Sequence, residues 1–339
     1  MTVCKHRRNR SGHTHNLQTN RKCGQHTWNA HDGRYREHSK MSSLKKLTDK
    51  GGNSVYTHCI DGHYFPPFPL DVEFATHLEN IKKMNIRDDD VIIVGYAKSG
   101  THWMWEVAGM LVAGSTDYIR QLKEHQFIES KEVAVLDALT SPRLLNTHMA
   151  FRFLPSEVVS KRTKVIYLLR NPKDVAVSLY HHVWGMNKDN WVYNGTWDDF
   201  LDAYLQGNVW CGSWFDSVLD WEKTRPARSE MPVFTLHYED MKKDPLSNVQ
   251  RLSEFLEAPA SSEFCQRVVE ACSFKKLKQA KDNMEENFLR DIWKPGCEGF
   301  YRKGEVGDWK NWFTVAQNER FDAVYGEKMK HSKLKMQFE

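Results

Sequence analysis

Two stretches of the 339-residue chain have residue types and spacings suited to holding an anion. In VIIVGYAKSGTHWMW, residues 91–105, an apolar run reaches Gly95 and passes Lys98, Ser99, Gly100 and Thr101. Beyond them Trp103, Val107, Met110 and Leu111 fall on one helical face, and Gly114 supplies a stop. The spacing predicts a buried strand feeding a helix. The N–H groups of such a helix start point at a guest and favour phosphate. Gly95 and Gly100 keep the G-x4-G spacing of a nucleotide-triphosphate loop, but Thr101 and His102 stand where that loop has Lys and then Ser or Thr. The second stretch, KVIYLLR, ends in Arg170, eight residues before Ser178. An NTPase commonly ends this strand in a magnesium-holding aspartate, whereas arginine offers a bidentate fork to phosphate. The chemistry implied is metal-free binding of a nucleotide by Lys, Arg, Ser and backbone amides.

Such residues need a scaffold, and from about residue 55 the chain alternates strand-like and helix-like segments. RLLNTH (143–148), KVIYLLR (164–170) and MPVFTLHYEDM (231–241) read as short buried strands. Helical patterns lie between them: PKDVAVSLYHHVW with Pro at its first turn, the Trp-rich 197–222, and DPLSNVQRLSEFLE. Near-continuous apolar strands predict an α/β domain over residues 55–335, a parallel sheet with helices on both faces and a phosphate loop like that of P-loop proteins. No internal repeat or Gly/Ser linker argues for a second domain.

The net charge of +4 is unevenly spread: residues 1–40 hold nine Lys/Arg against Asp32 and Glu37, so they carry +7 and leave about −3 for the rest. That segment is nearly free of aliphatic residues and is expected to be a disordered basic extension, with Met41 a plausible working start. The alternative is a targeting or binding arm. Seven cysteines form no CxxC pair or Cys/His ladder, so neither a disulfide framework nor a zinc site is indicated. No signal-peptide core or 18-residue apolar run occurs, so the expectation is a cytoplasmic protein without membrane or nucleic-acid partners.

Together these residues resemble the cytosolic sulfotransferases. YAKSGTHW is similar to the family's 5′-phosphosulfate loop, RNPKDVAVSLYHH to its 3′-phosphate segment, and RKGEVGDWKNWFTVAQNERFD (302–322) to its C-terminal signature. The likeness covers about residues 55–330. It implies transfer of a sulfuryl group from 3′-phosphoadenosine 5′-phosphosulfate (PAPS) to a hydroxyl or amine of a small acceptor, without metal.

By the same resemblance His148 is the general base and Lys98 stabilises the leaving phosphate. Lys98, Ser99, Gly100, Thr101 and His102 form the 5′ loop, while Trp103 stacks on adenine. Arg170, Ser178, Arg302, Lys303 and Gly304 take the 3′-phosphate, and Tyr238, Ser273 and Phe274 complete the adenosine contacts. Three positions depart from the family pattern: His102 replaces a threonine, Cys272 replaces a threonine before Ser-Phe, and Asn146 stands where many phenol-directed members have lysine. Lys310, Thr314, Val315 and Glu319 match the family's dimer segment, which implies a homodimer. The aromatic stretch 63–70 with Phe151, Phe153 and Trp184 suggests an apolar acceptor such as a phenol, steroid or alcohol. Two rival readings are a nucleotide-binding protein of this fold lacking turnover, and a P-loop-type kinase.

Overall fold

The computed structural model describes residues 44–188, 191–224, 230–282 and 292–339, which fall in one compact unit. The expected extension at residues 1–40 lies outside them. The described chain begins with a three-stranded antiparallel sheet, β1 (Lys45–Thr48), β2 (Ser54–Ile60) and β3 (His63–Phe65). Asp61 and Gly62 join β2 to β3 with φ of 48° and 75°, the two left-handed residues that a tight hairpin turn requires. This sheet was not anticipated from the sequence.

The main sheet is parallel, in the order β5-β4-β6-β7, from β4 (Val91–Gly95), β5 (Leu144–Thr147), β6 (Lys164–Leu169) and β7 (Val233–His237). Ile93 lies between Asn146 on β5 and Ile166 on β6. Strand residues alternate faces, and the two apolar cores follow that alternation. Val91 and Ile93 pack with Trp105, Met110, Val249 and Val268. Ile92 and Val94 pack with Val175, Leu179, Tyr204 and Phe321. Covering both faces is what makes every β4 residue buried, and each large aliphatic side chain so buried stabilises the fold by about 1.5–3 kcal/mol.

The helices are α1 (Phe74–Lys82), α2 (Thr101–Ala113), α3 (Val133–Asp137), α4 (Glu157–Ser160), α5 (Pro172–Gly185), α6 (Trp197–Gln206), α7 (Trp214–Thr224), α8 (Tyr238–Lys243), α9 (Pro245–Phe255), α10 (Ser262–Ala271), α11 (Phe274–Asp282) and α12 (Val315–Met329). Asn171 caps α5 by accepting the Lys173 N–H, with Pro172 in the first turn. Asp244 caps α9 in the same way through Ser247. The Trp-rich stretch divides into α6 and α7 rather than one helix. Where β4 and β5 begin, Arg143 donates from Nε and Nη2 to both Asp90 oxygens at 2.8 and 2.5 Å. Both side chains are fully buried, so this pair fixes the strand ends opposite the phosphate loop.

Candidate active site

The loop between β4 and α2 follows the expected plan. Lys98 takes a left-handed φ of 69°, a conformation that costs a non-glycine residue roughly 1–2 kcal/mol. Arg170, just beyond β6, donates to the Lys98 carbonyl at 3.0 Å and helps to hold it. The Lys98 ammonium lies 3.5 Å from His182 Nδ1 on α5 and over the Phe300 ring. Burial, with the nearby Arg170 charge, pushes its pKa down to about 7. Ser99 Oγ, Trp103 Nε1 and Nε of both Arg170 and Arg302 are buried without a hydrogen-bond partner among the described residues. Buried polar groups are rarely left so, and donors of this kind are able to take an anionic guest.

Arg170 ties the loop to two other segments. Its guanidinium lies 4.2 Å from the Tyr238 ring centroid, and Nη2 donates to the Glu305 carbonyl at 3.3 Å. Tyr238 meets Trp103 edge to face at 5.4 Å. It also packs so tightly on Gly100 that a Cβ there would sit 2.9 Å from its ring. A Cβ on Gly304 would come within 2.3 Å of Phe274, so α11 and the 302–305 loop are in contact. Lys98, Gly100, Trp103, Arg170, Tyr238, Phe274 and Gly304 therefore form one continuous cluster.

Other expected residues stand at its edge. Arg302 and Lys303 donate to the two oxygens of Asp308 at 2.5 and 2.6 Å. Burial disfavours an ionised Asp308, but hydrogen bonds from Lys303, Arg302 and Asn311 outweigh it and hold the pKa at about 2. Asp174 accepts the Gly307 and Trp309 N–H groups and so fastens this loop to α5. Ser178 is half-buried on α5, and Ser273 is exposed before α11. Neither is joined to the cluster by a hydrogen bond. Cys272 points into the core instead, 3.7 Å from Met110 Sδ, which accounts for a sulfur in place of a hydroxyl there.

His148 follows β5, across the sheet end from Arg170. Its Nδ1 lies 2.6 Å from the Gly95 carbonyl. An acceptor there needs Nδ1 to carry the proton, which leaves the Nε2 lone pair available. Burial, with Lys123, lowers the His148 pKa to about 3, so the ring is neutral at physiological pH. The strand end is held by Glu129, which accepts the His148 N–H and the Thr147 hydroxyl, each at 2.7 Å. Phe127 meets the imidazole edge to face at 5.0 Å.

Asn146 makes a defined set of contacts. It donates to the carbonyls of Lys123 and Gln126 and accepts the Lys123 ammonium at 2.6 Å. His102 turns away from the loop, paired with Glu124 at 2.8 Å and stacked on Phe300. Burial lowers the His102 pKa to about 4. A cavity of about 710 Å³ opens here, with His102, Lys123, Glu124, Trp293 and Phe300 in its wall. Of the aromatics expected to line an acceptor pocket, Phe68 packs on Phe127. Phe151 and Phe153 belong to the core, and Trp184 is an exposed helix residue under Lys294. The sequence reading missed Lys123, Glu129, His182 and Phe300. The first two lie in 3-10 turns with no periodicity to flag them.

Among the described residues no group of three or more His, Cys, Asp or Glu is placed to hold a metal, and no helix is long and apolar enough to cross a membrane. Thr314 caps α12, Val315 is 76% exposed, Glu319 is exposed, and Lys310 pairs with Glu339 at 2.9 Å.

Comparison with known proteins agrees with this geometry. Residues 88–333 match the sulfotransferase domain family. Sulfotransferase 1B1 of Canis lupus familiaris is 37% identical over 289 residues, covering 80% of this chain and 94% of that protein. Sulfotransferase 1A1 of the same species is 36% identical, covering 78% and 92%. Among solved structures, mouse sulfotransferase SULT7A1 complexed with PAP is 30% identical, with a TM-score of 0.64 over 81% of this chain and 95% of its own. Retinol dehydratase in complex with androsterone and inactive cofactor PAP shares 22% identity at a TM-score of 0.69, covering 86% and 91%, which supports the fold alone. The chain belongs to the sulfotransferase family.

Proposed function

We propose that this enzyme moves a sulfuryl group from PAPS to the hydroxyl or amine of a small acceptor, with His148 as general base and Lys98 on the leaving phosphate. The observation that carries the assignment is the 2.6 Å contact of His148 Nδ1 with the Gly95 carbonyl. It fixes the tautomer whose Nε2 can accept a proton, at the end of the strand that opens the phosphate loop.

The donors without partners fit an anionic nucleotide. Backbone N–H groups from Ser99 to Trp103 and the side chains of Lys98, Ser99 and Thr101 would hold the 5′-phosphate. Trp103, Tyr238 and Phe274 offer ring surfaces to the base, and Arg170 with Arg302 offers guanidinium to the 3′-phosphate. Ser178, Ser273, Lys303 and Gly304 are assigned to the same nucleotide, with Lys303 freed once an anion competes with Asp308 for its ammonium. His102, paired with Glu124, is the loop residue with the weakest case for phosphate contact.

In the transfer, the acceptor oxygen bonds to sulfur as its proton passes to His148 Nε2. The sulfur–oxygen bond to the 5′-phosphate breaks, and its electron pair stays on the phosphate oxygen. Lys98 meets that growing charge and so stabilises the transition state more than the ground state. A base held near pKa 3 is weak, but its pKa is low because burial and neighbouring cations oppose a charged ring. An anionic nucleotide reverses the second effect and makes His148 a stronger base where it is needed.

The test is labelled sulfuryl transfer from PAPS, without added metal, to a panel of phenols, steroids, alcohols and amines. Transfer to any of them supports the reading. Tight binding of PAP with no transfer favours a nucleotide-binding protein without turnover, and magnesium-dependent ATP consumption favours a kinase.

We also infer a homodimer through Lys310, Thr314, Val315 and Glu319, supported by the exposure of Val315 at the start of α12. Val315→Asp should then convert a dimer to monomer in sedimentation. A monomeric wild-type protein would remove the inference. A cytosolic location accords with the free cysteines Cys59, Cys211, Cys265, Cys272 and Cys297; recovery in a vesicle lumen on fractionation would oppose it.

A further inference from the structure

Lys123 is a buried cation that the mechanism above does not use. Its side chain is in a residue only 3% exposed, yet it has no carboxylate partner among the described residues. Its ammonium donates to the neutral amide oxygen of Asn146 at 2.6 Å and lies 4.5 Å from the centroid of the Phe127 ring. The two nearby carboxylates are committed elsewhere, Glu124 to His102 and Glu129 to Thr147 and His148. An ammonium has three donors, and burying one with a single neutral acceptor is costly unless another partner arrives.

The position of Lys123 indicates what that partner is. Asn146, which holds the ammonium, is two residues before His148 on the same strand. Phe127 touches both the ammonium and the imidazole, and Lys123 lines the cavity beside His102 and Phe300. The charge of Lys123 is felt at both His148 and Lys98, where it opposes protonation. Asn146 is in turn anchored to two backbone carbonyls, so the ammonium is presented on a fixed mount. A fixed donor aimed where charge develops costs no reorganisation during reaction.

Resting on the sulfotransferase reading, we propose that Lys123 binds the acceptor oxygen as it gives up its proton to His148, and so selects acceptors whose hydroxyl ionises readily, phenols over aliphatic alcohols. The balance is that of the transfer itself: the O–H bond breaks toward Nε2, the developing oxyanion is matched by the ammonium, and that oxygen then bonds to sulfur.

The experiment measures kcat/KM for 4-nitrophenol, an unsubstituted phenol and 2-phenylethanol in the wild type, Lys123→Met and Lys123→Arg, with PAP affinity and the melting temperature alongside. Loss of one such donor is typically worth about 100-fold or more in rate. Lys123→Met should therefore lower turnover of the phenols at least tenfold more than that of the alcohol, with PAP affinity within about twofold. Lys123→Arg, which keeps the charge, should restore part of the phenol preference. Equal losses on all three acceptors, or a loss of PAP affinity, would each overturn the proposal. If Lys123→Met does not fold, Lys123→Gln, polar but uncharged, decides: an acceptor ratio unchanged from the wild type rejects a role in selection. A wild type that sulfates none of the panel would instead refute the sulfotransferase reading on which this inference rests.

Discussion

Binding of PAP should draw a proton onto Lys98. In the free site, burial and the Arg170 charge hold the Lys98 pKa at about 7, so at pH 8 about 0.9 of the molecules carry a neutral amine there. A phosphate in the loop puts negative charge beside that amine and raises its pKa well above 8, since opposite charge favours the ionised form. PAP cannot itself be the source of the effect at this pH, because phosphates with a second pKa of about 6 are fully ionised. The histidines nearby are also silent: His102, His148 and His181 sit at about 4, 3 and 4, too low to gain a proton at pH 8. Binding should then take up about 0.9 proton, and affinity should fall about fivefold between pH 7 and 8, or ~1 kcal/mol. The sign follows from the shift: a depressed amine must be recharged to bind, so higher pH weakens binding. Calorimetry at pH 8 in buffers of different ionisation enthalpy measures the uptake directly, and Lys98→Met should abolish it. Uptake near zero in the wild type, or unchanged in the variant, refutes the reasoning.

Two further substitutions probe other parts of the account. Arg170→Ala removes the guanidinium that touches Lys98, Tyr238 and Glu305, and should cost about 1.5–3 kcal/mol in PAP binding while hardly affecting adenosine 5′-phosphate. An unchanged preference for the 3′-phosphorylated nucleotide would reject the 3′ assignment. Arg143→Ala leaves Asp90 buried and unpaired, which should lower the unfolding free energy by about 3–5 kcal/mol in a denaturant titration. A loss below about 1 kcal/mol would show that the pair is dispensable.

What the sequence disclosed was set by periodicity and by turn chemistry. Val91–Gly95 and Lys164–Leu169 were legible because strands buried on both faces must be apolar throughout, and the structure places their alternate residues in two separate cores. The start of α5 was legible from Asn171 and Pro172, whose capping geometry is local. The β2–β3 hairpin carried a signal that went unused, the Asp61-Gly62 pair between residues of high strand propensity. Other features had no local signal to find. Lys123 reaches Asn146 across 23 positions, and Glu129 holds His148 across 19, so both depend on how the segment after α2 folds back over β5. The directions of the aromatics were illegible for the same reason: composition marks Phe151, Phe153 and Trp184 as apolar, but only the fold decides that the first two enter the core and the third faces outward.

The central claim is that His148 takes the acceptor's proton while contributing little to nucleotide binding. The direct measurement is single-turnover transfer from labelled PAPS by His148→Ala, with PAP affinity measured on the same preparation. The account requires the rate to fall by about 100-fold or more with affinity within a few-fold of the wild type. Transfer at a near wild-type rate, or a loss of PAP affinity that matches the loss of rate, would contradict it.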